Sequence, residues 1–136
     1  MEWTRGEYVL TDDPARLDFE AVCGLLAQTY WAAQRSRELN ARAFAHSVCF
    51  SLFWRQTQVG FARAVTDWAT FSWICDVVIA PEHRGQGLGR WMLERMLEHP
   101  ALQTLTQALR TRDAHRFYEA LGFQPVQYLR RSVNPP

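Results

Sequence analysis

The sequence predicts a mixed α/β fold, and three observations carry that class. Period-two and 3.6-residue apolar patterning succeed each other as strand, helix, helix, three strands, helix, strand, helix, strand. Three consecutive strands followed by helix–strand–helix units make a mixed sheet and not a fully wound parallel one. The 136 residues contain no repeat, low-complexity tract or linker, which fits one domain over 1–136 with a core of its own.

Each element has a local reason. Tyr8–Thr11 reads as a short strand ended by Asp12-Asp13-Pro14. Asp18 suits the N-cap of a helix whose Phe19, Val22, Leu25 and Leu26 share one face. Ser36 caps a second helix running to about Ala45. Val48–Trp54 and Gln58–Val65 are rich in aromatic and β-branched residues, with Gln56-Thr57 as the hairpin turn. Phe71–Ala80 is apolar on both faces apart from Asp76, so it predicts a central strand, stopped by Pro81. Gly87 to about His99 is helical, with Pro100 beyond its end. Leu102–Leu109 reads as a strand, and Asp113 or Thr111 caps a helix over Ala114–Leu121 that Gly122 terminates. Phe123–Arg131 reads as a last strand interrupted by Pro125, and Asn134-Pro135-Pro136 as a loose tail.

Composition excludes several functions. All 15 basic residues are arginine, set against 14 acidic ones, for a net charge of +1. Without lysine there is no Schiff-base chemistry, no P-loop and no kinase strand lysine. Near-neutrality gives no footprint for nucleic acid or an anionic membrane, and no apolar run approaches the roughly 20 residues of a membrane span. The N-terminus lacks the pattern of a signal peptide. Cys23, Cys49 and Cys75 sit in apolar surroundings and read as free buried thiols, which points to a reducing cytoplasm. No CxxC or HxxxH spacing offers a metal site. His46, His83, His99 and His115 read as structural, His99 as a cation at a helix end, and Trp3, Trp54, Trp68 and Trp91 as packing residues.

The stretch that carries chemistry runs from Asp76 to Gly89. A buried strand enters a loop with glycines at 85, 87 and 89, and a helix begins there. Glycines let several N–H groups converge, the helix terminus adds partial positive charge, and Arg84 adds a full one. A pyrophosphate is the natural guest. The spacing is not that of a dinucleotide fold, whose GxGxxG follows the first strand.

Arg84-x-x-Gly87-x-Gly89, after Ile74-x-x-Val77-x-Ile79-x-Pro81, is similar to the acetyl-CoA signature of the GNAT superfamily of N-acetyltransferases. A second block, Ala114-x-x-Phe117-Tyr118-x-x-x-Gly122-Phe123, resembles that superfamily's next strand–helix unit. The likeness is strong from about Phe61 to Phe123 and weak over the first 45 residues.

It implies a GNAT fold: a mixed, mostly antiparallel sheet with splayed parallel central strands, flanked by about four helices. It also implies that the amides of Arg84, Gly85, Gln86, Gly87, Leu88 and Gly89 hold the CoA pyrophosphate. Backbone at Val77, Val78 and Ile79 would pair with the pantetheine arm, and Tyr118 would be the general acid for the departing thiolate. A phenol with a pKa near 10 stays protonated at neutral pH.

Two positions depart from the pattern. Asp113 stands where many members carry a CoA-contacting asparagine. Trp73 stands where some carry a glutamate base. Asp76 lies an odd number of residues from Trp73, so strict alternation puts it on the opposite sheet face. It is either a buried structural acid or part of the acceptor site, and no base is named. Tyr30 and Trp31 either close the core or wall the acceptor pocket, where aromatic faces suit a cationic amine.

The implied activity is acetyl transfer from acetyl-CoA, with no metal, to a primary amine of a small molecule or peptide. The alternative is a non-catalytic CoA-binding module of the same fold. The implied partners are the CoA thioester and that acceptor, not nucleic acid or membrane, for a monomer or homodimer.

Overall fold

The computed structural model describes residues 1–132; the expected tail at 134–136 lies outside them. Six strands form one sheet in sequence order: β1 (Glu2–Arg5), β2 (Tyr8–Thr11), β3 (Val48–Trp54), β4 (Thr57–Thr66), β5 (Phe71–Ile79) and β6 (Thr106–Ala108). Every neighbouring pair is antiparallel except β5 and β6, which run parallel. The helices are α1 (Phe19–Leu26), α2 (Arg37–Ala45), α3 (Leu88–Leu97) and α4 (His115–Glu119). The mixed, mostly antiparallel class and the flanking helices are as predicted.

The helix starts follow their caps. The Asp18 carboxylate accepts from the Ala21 amide at 3.2 Å and the Ser36 hydroxyl from that of Leu39 at 3.1 Å. Their apolar faces cover one side of the sheet, where Val22, Leu26, Phe44, Phe61 and Val78 pack together. Leu88, Met92, Leu93 and Met96 of α3 cover the other side, over Leu10, Phe50, Leu52 and Ile74. Burial of side chains such as these drives the three-layer arrangement, at roughly 1.5–3 kcal/mol for each fully buried Val, Leu, Ile, Phe or Met.

Parallel pairing of β5 with β6 lasts three residues, Phe71 to Trp73 against Thr106 to Ala108. From Ile74 to Ile79, β5 continues along β4 alone, so the two parallel strands diverge and open a cleft. One side of β5 carries an irregularity. Phe61 faces Val78 and Arg63 faces Cys75, so Ala62 stands opposite both Asp76 and Val77. Asp76 takes the extra place, with φ 55° in the left-handed region.

Four expectations are corrected. The Glu2–Arg5 strand was not read from sequence; it pairs with β2 through a turn at Gly6, where φ is 61°. The strand over Leu102–Leu109 contracts to Thr106–Ala108, because the residues before it turn on the carbonyls of His99 and Leu102, with Leu102 buried as an anchor. The strand over Phe123–Arg131 does not form among the described residues. The short β6 offers little ladder, Pro125 has no N–H to give, and Val126, Tyr128 and Leu129 stay exposed. Trp68 is no packing residue: it is 59% exposed in the β4–β5 turn, with φ 65°.

Candidate active site

The cleft contains two adjoining chambers, of about 690 and 850 Å³. The smaller is walled by Val77, Val78 and Ile79 of β5 and by the glycine loop into α3. The larger lies between β5 and the segment after β6. Tyr30, Trp31, Val77, Asp113, Ala114 and Tyr118 line both, so the chambers meet there.

The loop is built as an anion cradle. Gly85 and Gly87 have φ 79° and 75°, which side-chain-bearing residues adopt only at a cost of about 1–2 kcal/mol. Gly87 is the N-cap of α3, so the following amides have no partner within the helix. From β1, Arg5 donates to the carbonyls of Gln86 and Gly87 at 3.2 and 3.3 Å, tying the loop to the first strand. Tyr8 contacts His83 Nδ1 at 2.8 Å and Gln86 Oε1 at 3.4 Å. The Arg84 guanidinium folds back, its Nε donating to the Ile79 carbonyl at 2.9 Å. Leu88 is buried beneath the loop, so only its amide is available to a ligand. A pyrophosphate fits this donor set.

Tyr118 sits on α4, half-buried against Phe117 and Phe123. Burial first, then the neighbouring Tyr30 and Asp113, push its phenol above the ordinary 10.0. Thr111 tethers the start of α4, accepting from the Ala114 amide at 3.0 Å. Neither predicted cap acts: the N-cap is Ala114, no side chain caps the helix, Thr111 holds only the Ala114 amide just before it, and Asp113 is left exposed at the chamber junction.

Asp76 is buried and fully engaged. Arg35 donates to both its oxygens, at 3.0 and 2.5 Å, Arg63 Nε at 2.6 Å and Trp31 Nε1 at 3.2 Å. Burial pushes its carboxyl up, and the hydrogen bonds and charges of Arg35 and Arg63 outweigh that, holding it below the usual 3.8. Asp76 lines the same chamber as Trp73, contrary to strict alternation. The bulge explains this: Ile74 and Val77 pack on one sheet face, Val78 on the other. Cys75 also lines the chamber, its thiol pushed up by burial to about 11, and buried Cys49 is pushed up to about 12.

Tyr30 packs edge-on to Trp31 with centroids 5.0 Å apart, and its face is covered by the Arg112 guanidinium at 3.7 Å. The Tyr30 side of the aromatic wall therefore has a cation of its own already. The His99 side chain is directed to Asp12, 2.7 Å from its Nε2, and to the Ala101 amide, which donates to Nδ1 at 3.1 Å. Sequence reading missed Arg5, Tyr8, Arg35, Arg63 and Arg112. Arg63 had a signal, since it is the one charge within the apolar run of β4 as Asp76 is within that of β5.

A strand that diverges from its parallel neighbour beside a glycine cradle is the architecture that the resemblance to acyl-transferring enzymes implies. A family model described as an acetyltransferase (GNAT) domain matches residues 45–125. A Gibberella zeae protein provisionally named an acetyltransferase is 33% identical, over 91% of this chain and 83% of its own length. A crystal structure from Xanthomonas campestris pv. campestris, provisionally placed among the GNAT acetyltransferases, superposes with a TM-score of 0.88 at 37% identity, covering 93% of both chains. A Deinococcus radiodurans structure shares the fold alone, with a TM-score of 0.75 at 18% identity over 98% of this chain and 94% of that one. The chain belongs to the GNAT family of acetyltransferases.

Proposed function

We propose that the protein transfers an acetyl group from acetyl-CoA to a primary amine of a small molecule or peptide, by direct attack on the thioester. The observation that carries this reading is the meeting of the two chambers at Tyr118. The glycine-loop chamber suits the CoA pyrophosphate through the amides of Gly85 to Gly89, that of Arg84 being already given to the Pro81 carbonyl, and the edge at Val77, Val78 and Ile79, left unpaired by β6, suits the pantetheine amides. Asp113, where many members have asparagine, borders both ligands. The larger chamber, with Tyr30, Trp31 and Asp76, receives the acceptor.

In the reaction, the amine nitrogen bonds to the carbonyl carbon and the carbon–sulfur bond breaks. Tyr118 gives its proton to the leaving sulfur, and the surplus amine proton leaves to water. Tyr118 can do this because its raised pKa keeps it protonated. Asp76, held by two arginines, takes no proton near neutral pH.

Three free thiols support a cytoplasmic location, and no helix among the described residues is long and apolar enough to cross a membrane. The test is titration of acetyl-CoA by calorimetry, followed by an amine panel scored by CoA-thiol release. Tyr118→Phe is expected to lower kcat by about a hundredfold or more while acetyl-CoA affinity stays within about twofold. Acetyl-CoA binding with silence across the panel would favour a non-catalytic module.

A further inference from the structure

The charge lining the larger chamber restricts what the acceptor carries besides its amine. Arg110, Arg112 and Arg130 line it, together with two acids, Asp76 and Asp113. Asp76 on its floor is ion-paired to both Arg35 and Arg63. Asp76 is thus already matched by two guanidiniums, which leaves Asp113 as the acid set against the three arginines of the lining. Among the described residues, Arg110, Arg112 and Arg130 have no carboxylate within ion-pair distance. Two of them are held in place by aromatic neighbours: Arg112 over the Tyr30 ring at 3.7 Å, and Arg110 with Nη1 3.5 Å from the Tyr128 hydroxyl. The Tyr30 face, one of those that would attract a substrate ammonium, is thereby taken.

We infer that the acceptor is a small amine that also bears an anionic group, a carboxylate or phosphate, which Arg110, Arg112 and Arg130 hold while the amine points toward Tyr118. This rests on the acetyltransferase reading above. Guanidinium pairs with either anion through parallel N–H donors, and is the side chain best shaped for it. The same positive surroundings disfavour the ammonium form of the bound amine. More of the acceptor is then the neutral nucleophile, which suits a site whose buried carboxylate is already committed to two arginines.

The experiment compares matched amines with acetyl-CoA saturating: an α-amino acid against its amide, and a phosphorylated amino alcohol against its parent alcohol. The anionic member of at least one pair is expected to show a kcat/KM about tenfold or more higher, with the advantage shrinking in 0.5 M salt. The favoured pair distinguishes carboxylate from phosphate. The double variant Arg110→Gln, Arg130→Gln is expected to cut that preference about tenfold, mainly through KM. Arg110→Lys alone keeps the charge and most of the preference. Equal turnover of both members, or preference for the neutral one, overturns the anionic acceptor and leaves the acetyltransferase reading standing. A preference unmoved by the double variant overturns the assignment to these arginines. Silence with every amine, with acetyl-CoA bound, overturns the acetyltransferase reading and this inference with it.

Discussion

Replacing Asp76 by asparagine separates what this carboxylate does for the fold from anything it does for chemistry. Asparagine keeps the shape and tolerates the left-handed φ of 55°. What it removes is the charge facing Arg35 and Arg63, whose side chains are only 18% and 13% exposed. Breaking a buried pair by neutralising one partner costs about 3–5 kcal/mol, and the residual exposure of both arginines puts the expected loss near 3 kcal/mol. For a chain of this size that lowers Tm by roughly 10 °C. Urea denaturation and thermal melts at pH 7 measure it directly.

A pH series adds the sign. The folded carboxyl titrates below its unfolded value of about 3.8, so its contribution is complete above that value and vanishes as pH falls through the folded pKa. Wild type and D76N should therefore differ by a constant amount near neutrality and converge below roughly pH 4. A loss under about 1 kcal/mol at pH 7, or a gap that persists unchanged at pH 3, would refute the network as the strand's anchor.

Other outcomes follow from the same contacts. Because burial raises the Tyr118 phenol, its loss as an acid should appear in the pH profile of kcat only above about pH 10; a Tyr118-dependent fall near pH 7–8 counts against the assignment. Arg5→Ala frees the Gln86 carbonyl and leaves that of Gly87 with its helix bond from Trp91 alone, and acetyl-CoA affinity by calorimetry should weaken about five- to tenfold. Affinity equal to wild type would mean that the loop holds its shape unaided. Gly60→Ala brings a Cβ to 3.0 Å from Ile79 Cδ1 and 3.1 Å from Leu52 Cβ, so it should destabilise by about 1–3 kcal/mol in urea melts, since β3 and β5 hem it from both sides.

What was legible in the sequence followed local rules. Asp18 and Ser36 mark helix starts because capping needs only three residues of chain. The glycine loop is readable because positive φ restricts residue choice wherever it occurs. The losses share a different character. Phe123–Arg131 has strand-like composition, yet a strand needs an edge to pair with, and β6 is three residues long. Arg5 lies 81 and 82 residues from the carbonyls it holds, a contact no local pattern announces. The chamber's charge was equally hidden. The sequence is nearly neutral overall, and only the fold gathers Arg110, Arg112 and Arg130 beside an aspartate that two further arginines already neutralise.

The position of Asp76 shows how one extra residue organises the site. Alternation along β5 predicts that Ile74 and Val78 share a sheet face, and they do not. The inserted residue reverses the alternation, so Val78 packs under α1 and α2 while Val77 and Ile79 turn to the α3 side. It lies where parallel pairing with β6 has already ceased, and a bulge bends its strand and adds twist. The divergence that opens the cleft and the change of face thus occur within a few residues of one another. A left-handed aspartate is an unfavourable way to make such a turn, and glycine would do it without strain. Only aspartate also supplies the carboxylate that ties Arg35 after α1 and Arg63 on β4 to the bulge. Glycine here would relax the backbone yet leave two half-buried guanidiniums uncompensated, and the net effect should be loss of stability, because the ionic cost exceeds the roughly 1–2 kcal/mol of left-handed strain.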